Sequence, residues 1–210
     1  CWQHRASGLS SGRLTLGPLG AMVLAGGLGR RFGSDKRLAA LPSGESLLEA
    51  TLSKIIPAFD ETLLVLRPGD ETLAAALSTQ FKTLTTTFAD DAGLGMGHSL
   101  AHGAANISRW QGAAICLGDM PFHAPSTLST LILAFRATSQ PYPIIQPCHQ
   151  GRPGHPVLFH RVYFDAMRAL TGDQGARTLL KTEAQVVQMI EVNDSGILQD
   201  VDAPSDLASG

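Results

Sequence analysis

The sequence predicts an α/β domain built on a doubly wound, mostly parallel sheet, with helices on both faces in three layers. Short apolar segments alternate with segments of helical periodicity, which is the pattern of strands joined by crossover helices. Hydrophobic residues make up 44% of the 210 residues, so the chain can bury a sizeable core. A glycine-rich loop follows the first apolar segment, where open parallel sheets bind their ligands.

The predicted elements follow one another in the order that this fold requires. The apolar run from Ala21 predicts the first strand, and a helical pattern begins at Ser43 and ends at Pro57. The remaining predictions are strands at 61–66, 81–88, 111–118, 143–146 and 186–192, and helices at 70–77 and within the glycine-rich segments 90–100 and 172–180. Residues 1–20 show no clear period and lack the apolar segment of a secretory signal, so we expect a flexible leader followed by a single domain at 21–208.

The composition argues against several classes of protein. The formal net charge of −2 gives no reason to expect binding to nucleic acid or to a membrane surface. No apolar run approaches the roughly 20 residues of a membrane-spanning helix. Three scattered cysteines are too few for a disulfide framework or a zinc site. The composition therefore favours a cytoplasmic protein.

The loop after the first strand combines flexible backbone with positive charge. Glycines stand at positions 26, 27, 29 and 33, and Arg30, Arg31 and Lys36 lie beside them. Glycine lets a ligand approach the backbone closely, and consecutive N–H groups form a concave anion site. The loop therefore predicts a polyphosphate site, with an ordinary turn carrying solvated charges as the alternative.

Two common phosphate-binding loops do not match this segment. A P-loop requires Gly-x-x-x-x-Gly-Lys-Ser/Thr, which the chain lacks. A dinucleotide fingerprint requires Gly-x-Gly-x-x-Gly and an acidic residue at the end of the second strand. Here three residues separate Gly29 from Gly33, and the second strand ends in Arg67. The sequence therefore disfavours an NAD-binding site at this loop.

The loop resembles the signature of the nucleotidyltransferases that act on the molybdenum cofactor. That signature is Leu-Ala-(Gly or Ala)-Gly, three variable residues, Arg-Met-Gly and a lysine shortly after; residues 24–27, 31–33 and Lys36 match it, with Phe32 in place of methionine. The resemblance implies a Rossmann-like nucleotidyltransferase fold whose loop wraps a triphosphate, with Arg31 and Lys36 on the phosphates. The residues that it implies for nucleotide binding are Leu24, Ala25, Gly26, Gly27, Gly29, Arg31, Lys36, Gly95 and Ser99.

Gly95 and Ser99 enter this set through a second glycine-rich segment. Residues 95–100 are similar to the family's Gly-Met-x-x-Ser-(Leu or Val), which implies a place beside the nucleotide base and the second substrate. His98 stands where a small residue is common. His98 and His102 lie one helical turn apart, as a pair of metal ligands would, but a surface helix face is the favoured interpretation.

Asp119 directly follows the apolar strand 111–118. A carboxylate there is poorly solvated unless it is paired, and a cation is the natural partner; a turn or helix-capping aspartate is the alternative. Residues 117–121 resemble the family's Gly-Asp-(Met or Gln)-Pro, whose aspartate binds Mg²⁺. The resemblance implies a catalytic set of Arg31, Lys36 and Asp119. Residues 200–207 resemble its closing Asp-(Ile or Val)-Asp-Thr-Pro-x-Asp-Leu, which implies Asp202 as the second metal ligand, with Asp200 as the alternative.

Two segments of the C-terminal third also resemble the family. Residues 151–156 look like Gly-x-x-Gly-His-Pro, which implies that Gly154, His155 and Pro156 hold a pterin-bearing substrate; a structural histidine is the alternative. Residues 172–180 look like Gly-Asp-x-Gly-Ala-Arg-x-Leu-Leu. There Asp173 is predicted to cap a helix, and Arg177 either reaches a phosphate or is a surface charge.

The resemblance covers about residues 21–208 and implies Mg²⁺-dependent transfer of a nucleotide to a molybdopterin-type acceptor, with release of pyrophosphate. The spacing of residues 31–36 and the Gly-His-Pro segment resemble the cytidylyltransferase branch and favour CTP. Gly26-Gly27 and Asp35-Lys36 resemble the guanylyltransferase branch, so GTP is the alternative. Sugar, polyol or lactate phosphates stay open as acceptors, and a molybdoenzyme or its chaperone as a further partner. An NAD(P)-dependent oxidoreductase and a non-catalytic cofactor carrier are the hypotheses from other classes.

Overall fold

The computed structural model describes residues 17–27, 35–203 and 206. Their core is one eight-stranded sheet. Its strands are β1 (Leu19–Leu24), β2 (Glu61–Leu66), β3 (Leu84–Phe88), β4 (Gly112–Leu117), β5 (Ile144–His149), β6 (Arg152–Pro153), β7 (Val157–His160) and β8 (Val187–Glu191). The α-helices are α1 (Leu47–Ile55), α2 (Glu71–Gln80), α3 (Met96–Ala105), α4 (Pro125–Ala137), α5 (Phe164–Arg168) and α6 (Arg177–Thr182). None of the helices in this part of the chain has the length and apolar character that crossing a bilayer requires.

The sheet has the order β3-β2-β1-β4-β7-β5-β6, and β8 pairs with β5. Strands β1 to β4 pair in parallel, and so do β5 and β8. The exception at the centre is β7, which runs antiparallel to both β4 and β5. The predicted mostly parallel α/β sheet is confirmed.

The two faces of the sheet carry separate cores, which gives the predicted three layers. Along β1, Ala21 and Val23 pack into a cluster with α1, α2 and α4, whereas Met22 and Leu24 pack into a cluster with α3, α5 and α6. All four side chains are buried. Successive residues of a strand point to opposite faces, so a continuous apolar run is what a strand covered on both sides needs.

Several predicted boundaries shift for identifiable reasons. Helix α1 begins after Ser46 rather than at Ser43, because Ser46 and Glu49 bond each other's backbone N–H in a capping box. Strand β3 begins at Leu84 rather than at residue 81, because the Phe81 N–H still bonds Leu77 O at the end of α2.

The start of the domain also differs from the expectation. Leu19 pairs with Gly112, so Leu19 and Gly20, which the sequence assigned to the leader, lie in the sheet. Residues 1–16 of that leader lie outside the described residues. The prediction that Asp173 caps a helix was wrong: α6 begins at Arg177, and its N-cap, Ala176, offers no side-chain hydrogen bond.

Candidate active site

A cavity of about 590 Å³ opens where β1 and β4 end. This is the carboxyl edge of the parallel strands, where the sequence placed the site. The residues that line it come from both glycine-rich turns and from the C-terminal third: Leu24, Ala25, Gly26, Gly27, Lys36, Arg37, Ala92, Gly93, Leu94, Gly95, Met96, Ser99, Leu117, Gly118, Asp119, Asp173, Arg177, Asp200 and Asp202.

Lys36 lies between the two carboxylates that the sequence singled out. Its Nζ donates to Asp119 Oδ2 at 2.6 Å, to Asp202 Oδ1 at 3.3 Å and to the carbonyl oxygen of Val201 at 3.1 Å. Burial disfavours the charged ammonium, but the two carboxylates outweigh that effect, so the pKa of Lys36 is raised. Three widely separated segments therefore meet at one cation, with three oxygen atoms around it.

The strand register places Asp119 at this point. Leu24 pairs with Leu117, and the Gly118 N–H continues the pairing by donating to Leu24 O at 3.0 Å. A Cβ at position 118 would lie 3.0 Å from Ala25 Cβ, so glycine lets the chain turn closely past the end of β1. This turn places Asp119 beside the start of the first glycine-rich loop.

A different set of contacts positions Asp202 beside Lys36. The Val201 N–H donates to Asp119 O at 3.0 Å, which joins the C-terminal segment to the end of β4. The Asp206 carboxylate then accepts the N–H groups of Asp202 and Ala203. These bonds orient the backbone so that Asp202 faces Lys36. Asp200, the alternative ligand, lines the same cavity.

Arg37 was not among the residues that the sequence singled out, yet it is the most densely bonded side chain of the region. It is only 4% exposed and forms a paired hydrogen bond with Asp70, at 2.5 and 2.7 Å. It also donates to Asp35 and to the carbonyl oxygen of Ala25. The Arg37 hydrogen bond is the main reason that the pKa of Asp35 is lowered. The network anchors the backbone on either side of Lys36.

Arg67 extends this network across the first loop. Its guanidinium donates to Gly27 O at 3.0 Å and to Asp35 Oδ2 at 3.4 Å, the two described positions that flank residues 28–34. Arg67 is the residue whose positive charge disfavoured a dinucleotide site. Its structural role is to hold the two ends of the loop together.

The second glycine-rich turn packs directly against the segment that precedes α6. Gly95 has φ +130°, and a Cβ there would lie 2.4 Å from Asp173 Oδ1. The Gly97 N–H donates to Gly172 O at 2.7 Å. Because both positions approach backbone too closely for a side chain, these two turns form one rigid wall of the cavity.

Ser99 and its neighbours form the less polar part of this wall. Ser99 is 4% exposed and lines the cavity, and a Cβ at Gly26 would lie 3.3 Å from its hydroxyl and 2.9 Å from Ala92 Cβ. Leu94 and Met96 are exposed apolar residues on the same wall. The arrangement offers an apolar platform with one hydroxyl, as a heterocyclic base requires.

The predicted acceptor segment is fixed by backbone contacts beyond the cavity wall. The His155 N–H donates to Ile197 O at 3.0 Å, and a Cβ at Gly154 would lie 2.4 Å from the same oxygen. The peptide bond between His155 and Pro156 is cis. These three residues are not among those that line the cavity.

His155 nevertheless lies within electrostatic range of the site. Burial lowers its pKa and the charge of Arg177 acts in the same direction, while Asp119 and Asp200 oppose them. Nδ1 is buried and has no hydrogen-bond partner among residues 17–27, 35–203 and 206. His155 is therefore a largely buried imidazole within electrostatic range of Asp119.

The remaining predicted residues fall elsewhere. Gly29 and Arg31 lie outside the described residues. His98 and His102 line a separate cavity of about 470 Å³, where His102 Nε2 is 2.7 Å from the hydroxyl of Thr87. Arg177, which the sequence left undecided, lies on the wall of the main cavity.

The chain resembles a known protein family and several characterised proteins. The family described as "MobA-like NTP transferase domain" matches residues 21–188. The chain is 30% identical over 195 residues to "Purine catabolism protein PucB" of Bacillus subtilis strain 168, covering 88% of this chain and 92% of that protein. It is 25% identical to "Probable molybdenum cofactor guanylyltransferase" of Methanosarcina acetivorans (83% and 78% covered) and 25% identical to "Nicotine blue oxidoreductase" of Paenarthrobacter nicotinovorans (86% and 90%).

The fold of the chain also resembles that of solved structures. Rv0371c of Mycobacterium tuberculosis H37Rv superposes with a TM-score of 0.77 at 28% identity, covering 94% of this chain and all of that one. A structure described as the manganese complex of Rv0371c has a TM-score of 0.68 at 28% identity, with 85% and 89% covered. The similarity therefore extends over nearly the whole chain.

Proposed function

Because the chain belongs to the family of MobA-like NTP transferase domains, it is a nucleotidyltransferase, and we propose that it transfers CMP from CTP to molybdopterin in a Mg²⁺-dependent reaction that releases pyrophosphate. The observation that carries the proposal is the convergence of Asp119 and Asp202 on Lys36 beside the first glycine loop. A site that must neutralise and align a triphosphate requires this combination of carboxylates, ammonium and backbone amides.

The residues present fit a magnesium ion. Two carboxylates and a backbone carbonyl already surround a cation, and hard oxygen donors are what Mg²⁺ prefers. The described residues contain no group of three or more His, Cys, Asp or Glu side chains arranged to hold a metal. Mg²⁺ is usually held by one or two carboxylates, while substrate phosphates and waters complete its shell. The manganese-bound relative also supports a divalent cation.

Each residue has a defined task in the proposed reaction. Asp119 and Asp202 would hold Mg²⁺, which when bound neutralises the triphosphate and polarises its α-phosphate. Lys36 and the amides of Gly26 and Gly27 would orient the phosphates. An oxygen of the acceptor phosphate then attacks the α-phosphorus, a new P–O bond forms, and the bond to the bridging oxygen breaks as pyrophosphate leaves. The acceptor phosphate is already anionic, so alignment rather than a general base carries the rate.

The choice of base rests on the motifs of the chain. The spacing of residues 31–36 and the segment 154–156 support CTP. A guanylyltransferase among the relatives supports GTP as the second candidate base. The product, a dinucleotide form of the cofactor, would pass to a molybdoenzyme or its chaperone.

A binding titration with CTP, GTP, ATP and NADH, each with and without Mg²⁺, tests the proposal. We expect micromolar binding of CTP that Mg²⁺ strengthens, and pyrophosphate release when molybdopterin is added. Preference for GTP would change the proposed nucleotide from CTP to GTP and would leave the proposed transfer reaction unchanged. Binding of NADH alone would favour the chemistry named for the nicotine blue oxidoreductase relative. Pterin binding without pyrophosphate release would indicate a carrier.

A further inference from the structure

The cations on the cavity wall differ in how fully they are paired. Lys36 is matched by Asp119 and Asp202, and Arg37 by Asp35 and Asp70. Arg177 is an exposed residue that lines the same cavity, and its side chain forms no ion pair or hydrogen bond with the part of the chain that the structure describes. A charge that faces a cavity without a partner is available to a ligand of opposite charge.

The backbone that carries Arg177 is held firmly in place. Gly97 bonds Gly172, as described above, and the Arg177 N–H donates to Gln174 O at 3.1 Å. Gly175 has φ +50°, and a Cβ there would lie 2.9 Å from Met96 Sδ. The segment that leads into α6 is thus fitted against the second glycine turn. This contact fixes the backbone from which Arg177 reaches the cavity wall.

The surroundings of Arg177 distinguish it from the triphosphate-binding cations. It follows a segment that packs on the second glycine turn, and it lines the cavity together with Asp119. Lys36, by contrast, reaches Asp119 from the first glycine loop. An anion held by Arg177 would therefore share the cavity with Asp119 at a place separate from Lys36, as the second anionic substrate of the proposed transfer requires.

We propose that Arg177 binds the terminal phosphate of the acceptor and thereby positions the second substrate. The inference rests on the proposed function and deepens it. Guanidinium groups bind phosphate oxygens with two parallel, charge-assisted hydrogen bonds. Such a contact holds the attacking oxygen beside the α-phosphate, and it rejects an acceptor that lacks the phosphate.

The experiment compares the wild-type chain with Arg177→Gln, Arg177→Lys and a control, Lys181→Gln. Lys181 is an exposed base in the last turn of the same helix. For each protein we would measure the KM for molybdopterin at saturating Mg²⁺ and CTP, and the Kd for CTP. Inorganic phosphate is the second probe, and its Kd is measured without nucleotide.

Arg177→Gln is expected to raise the KM for molybdopterin and the Kd for inorganic phosphate about ten- to hundredfold, as loss of a charge-assisted pair of hydrogen bonds implies. The Kd for CTP should stay within about twofold. Arg177→Lys should recover part of the loss, because a lysine keeps the charge but not the paired geometry. Lys181→Gln should match the wild type.

Two results would overturn the inference while leaving the proposed function intact. A raised Kd for CTP with unchanged acceptor binding would place Arg177 on the triphosphate. If Arg177→Gln changed neither the KM for molybdopterin nor the Kd values for CTP and phosphate, Arg177 would be a surface charge without a role in binding. A wild-type chain that binds no triphosphate would contradict the proposed function itself, and the phosphate titration would still report whether Arg177 binds an anion.

Discussion

Replacing Lys36 by glutamine should tighten the binding of a divalent cation in the absence of nucleotide. In the structure the ammonium lies 2.6 Å from Asp119 and 3.3 Å from Asp202, the two proposed metal ligands. A metal ion and Lys36 would therefore compete for the same carboxylates. Only when a triphosphate is present does the displaced ammonium find other anionic oxygen atoms.

The magnitude follows from the contacts that must break. A hydrogen bond to a charged group contributes about 1.5–3 kcal/mol, and hydration of the released ammonium recovers part of it. A net cost of about 1.4 kcal/mol corresponds to a tenfold change in affinity. We therefore expect Lys36→Gln to bind Mn²⁺ about tenfold more tightly than the wild type does without nucleotide.

Isothermal titration with Mn²⁺ measures the metal affinity of each variant without CTP and the change in that affinity when CTP is present. CTP should raise the Mn²⁺ affinity of the wild type more than that of Lys36→Gln, because in the wild type the phosphates also receive the displaced ammonium. Lys82→Gln, a change at an exposed lysine, is the control. Equal or weaker Mn²⁺ binding by a folded Lys36→Gln variant would refute the competition between Lys36 and the metal.

Three further predictions concern Asp119, the Arg37 network and a buried histidine. Asp119→Asn should lower kcat/KM roughly 10³-fold in a nucleotidyl transfer assay, because several kcal/mol of charge stabilisation is lost; near-normal turnover would remove Asp119 from the reaction. Arg37→Met should cost about 3 kcal/mol in urea unfolding, because Asp70 keeps a buried charge whose remaining cation, Arg67, lies at 3.7 Å; a loss below about 1 kcal/mol would contradict the importance of the buried pair. Burial, reinforced by the charge of Lys54, lowers the pKa of His123 to about 4 from 6.5, so the neutral form is favoured in the folded chain. The free energy of unfolding therefore contains the full contribution of neutral His123 above pH 6.5. This contribution, up to roughly 3 kcal/mol, is lost as the pH falls toward 4. His123→Gln should flatten this part of the stability curve, and an unchanged pH profile would show that His123 does not titrate there.

Much of the site was predictable because it depends on where strands end. Lys36 and Asp119 each follow a buried apolar strand, and the carboxyl ends of adjacent parallel strands lie at one edge of a sheet. Family resemblance added Asp202, which no periodicity would indicate. The structure brings these three residues together, as the sequence predicted, whereas their roles in catalysis stay predictions.

The parts that sequence reasoning missed depend on tertiary register. The pairing of Arg37 with Asp70 joins positions 33 residues apart, and neither belongs to an apolar pattern that would connect them. The antiparallel strand β7 lies between β4 and β5, an order that the succession of elements does not specify. The predicted helix cap at Asp173 was wrong because its segment packs against Gly95 before α6 begins.

The separation of the site residues along the chain also has a consequence for the order of events in folding. Lys36 bonds residues 83 and 166 positions away, so its two carboxylate partners come from the middle and from the last segment. A chain that has formed only β1 to β3 would carry the glycine loop but neither carboxylate. Contacts of such long range form after local ones, because closing large loops costs entropy first. Nucleotide binding should therefore be acquired in the final stage of folding, and it can be used to report that this stage is complete.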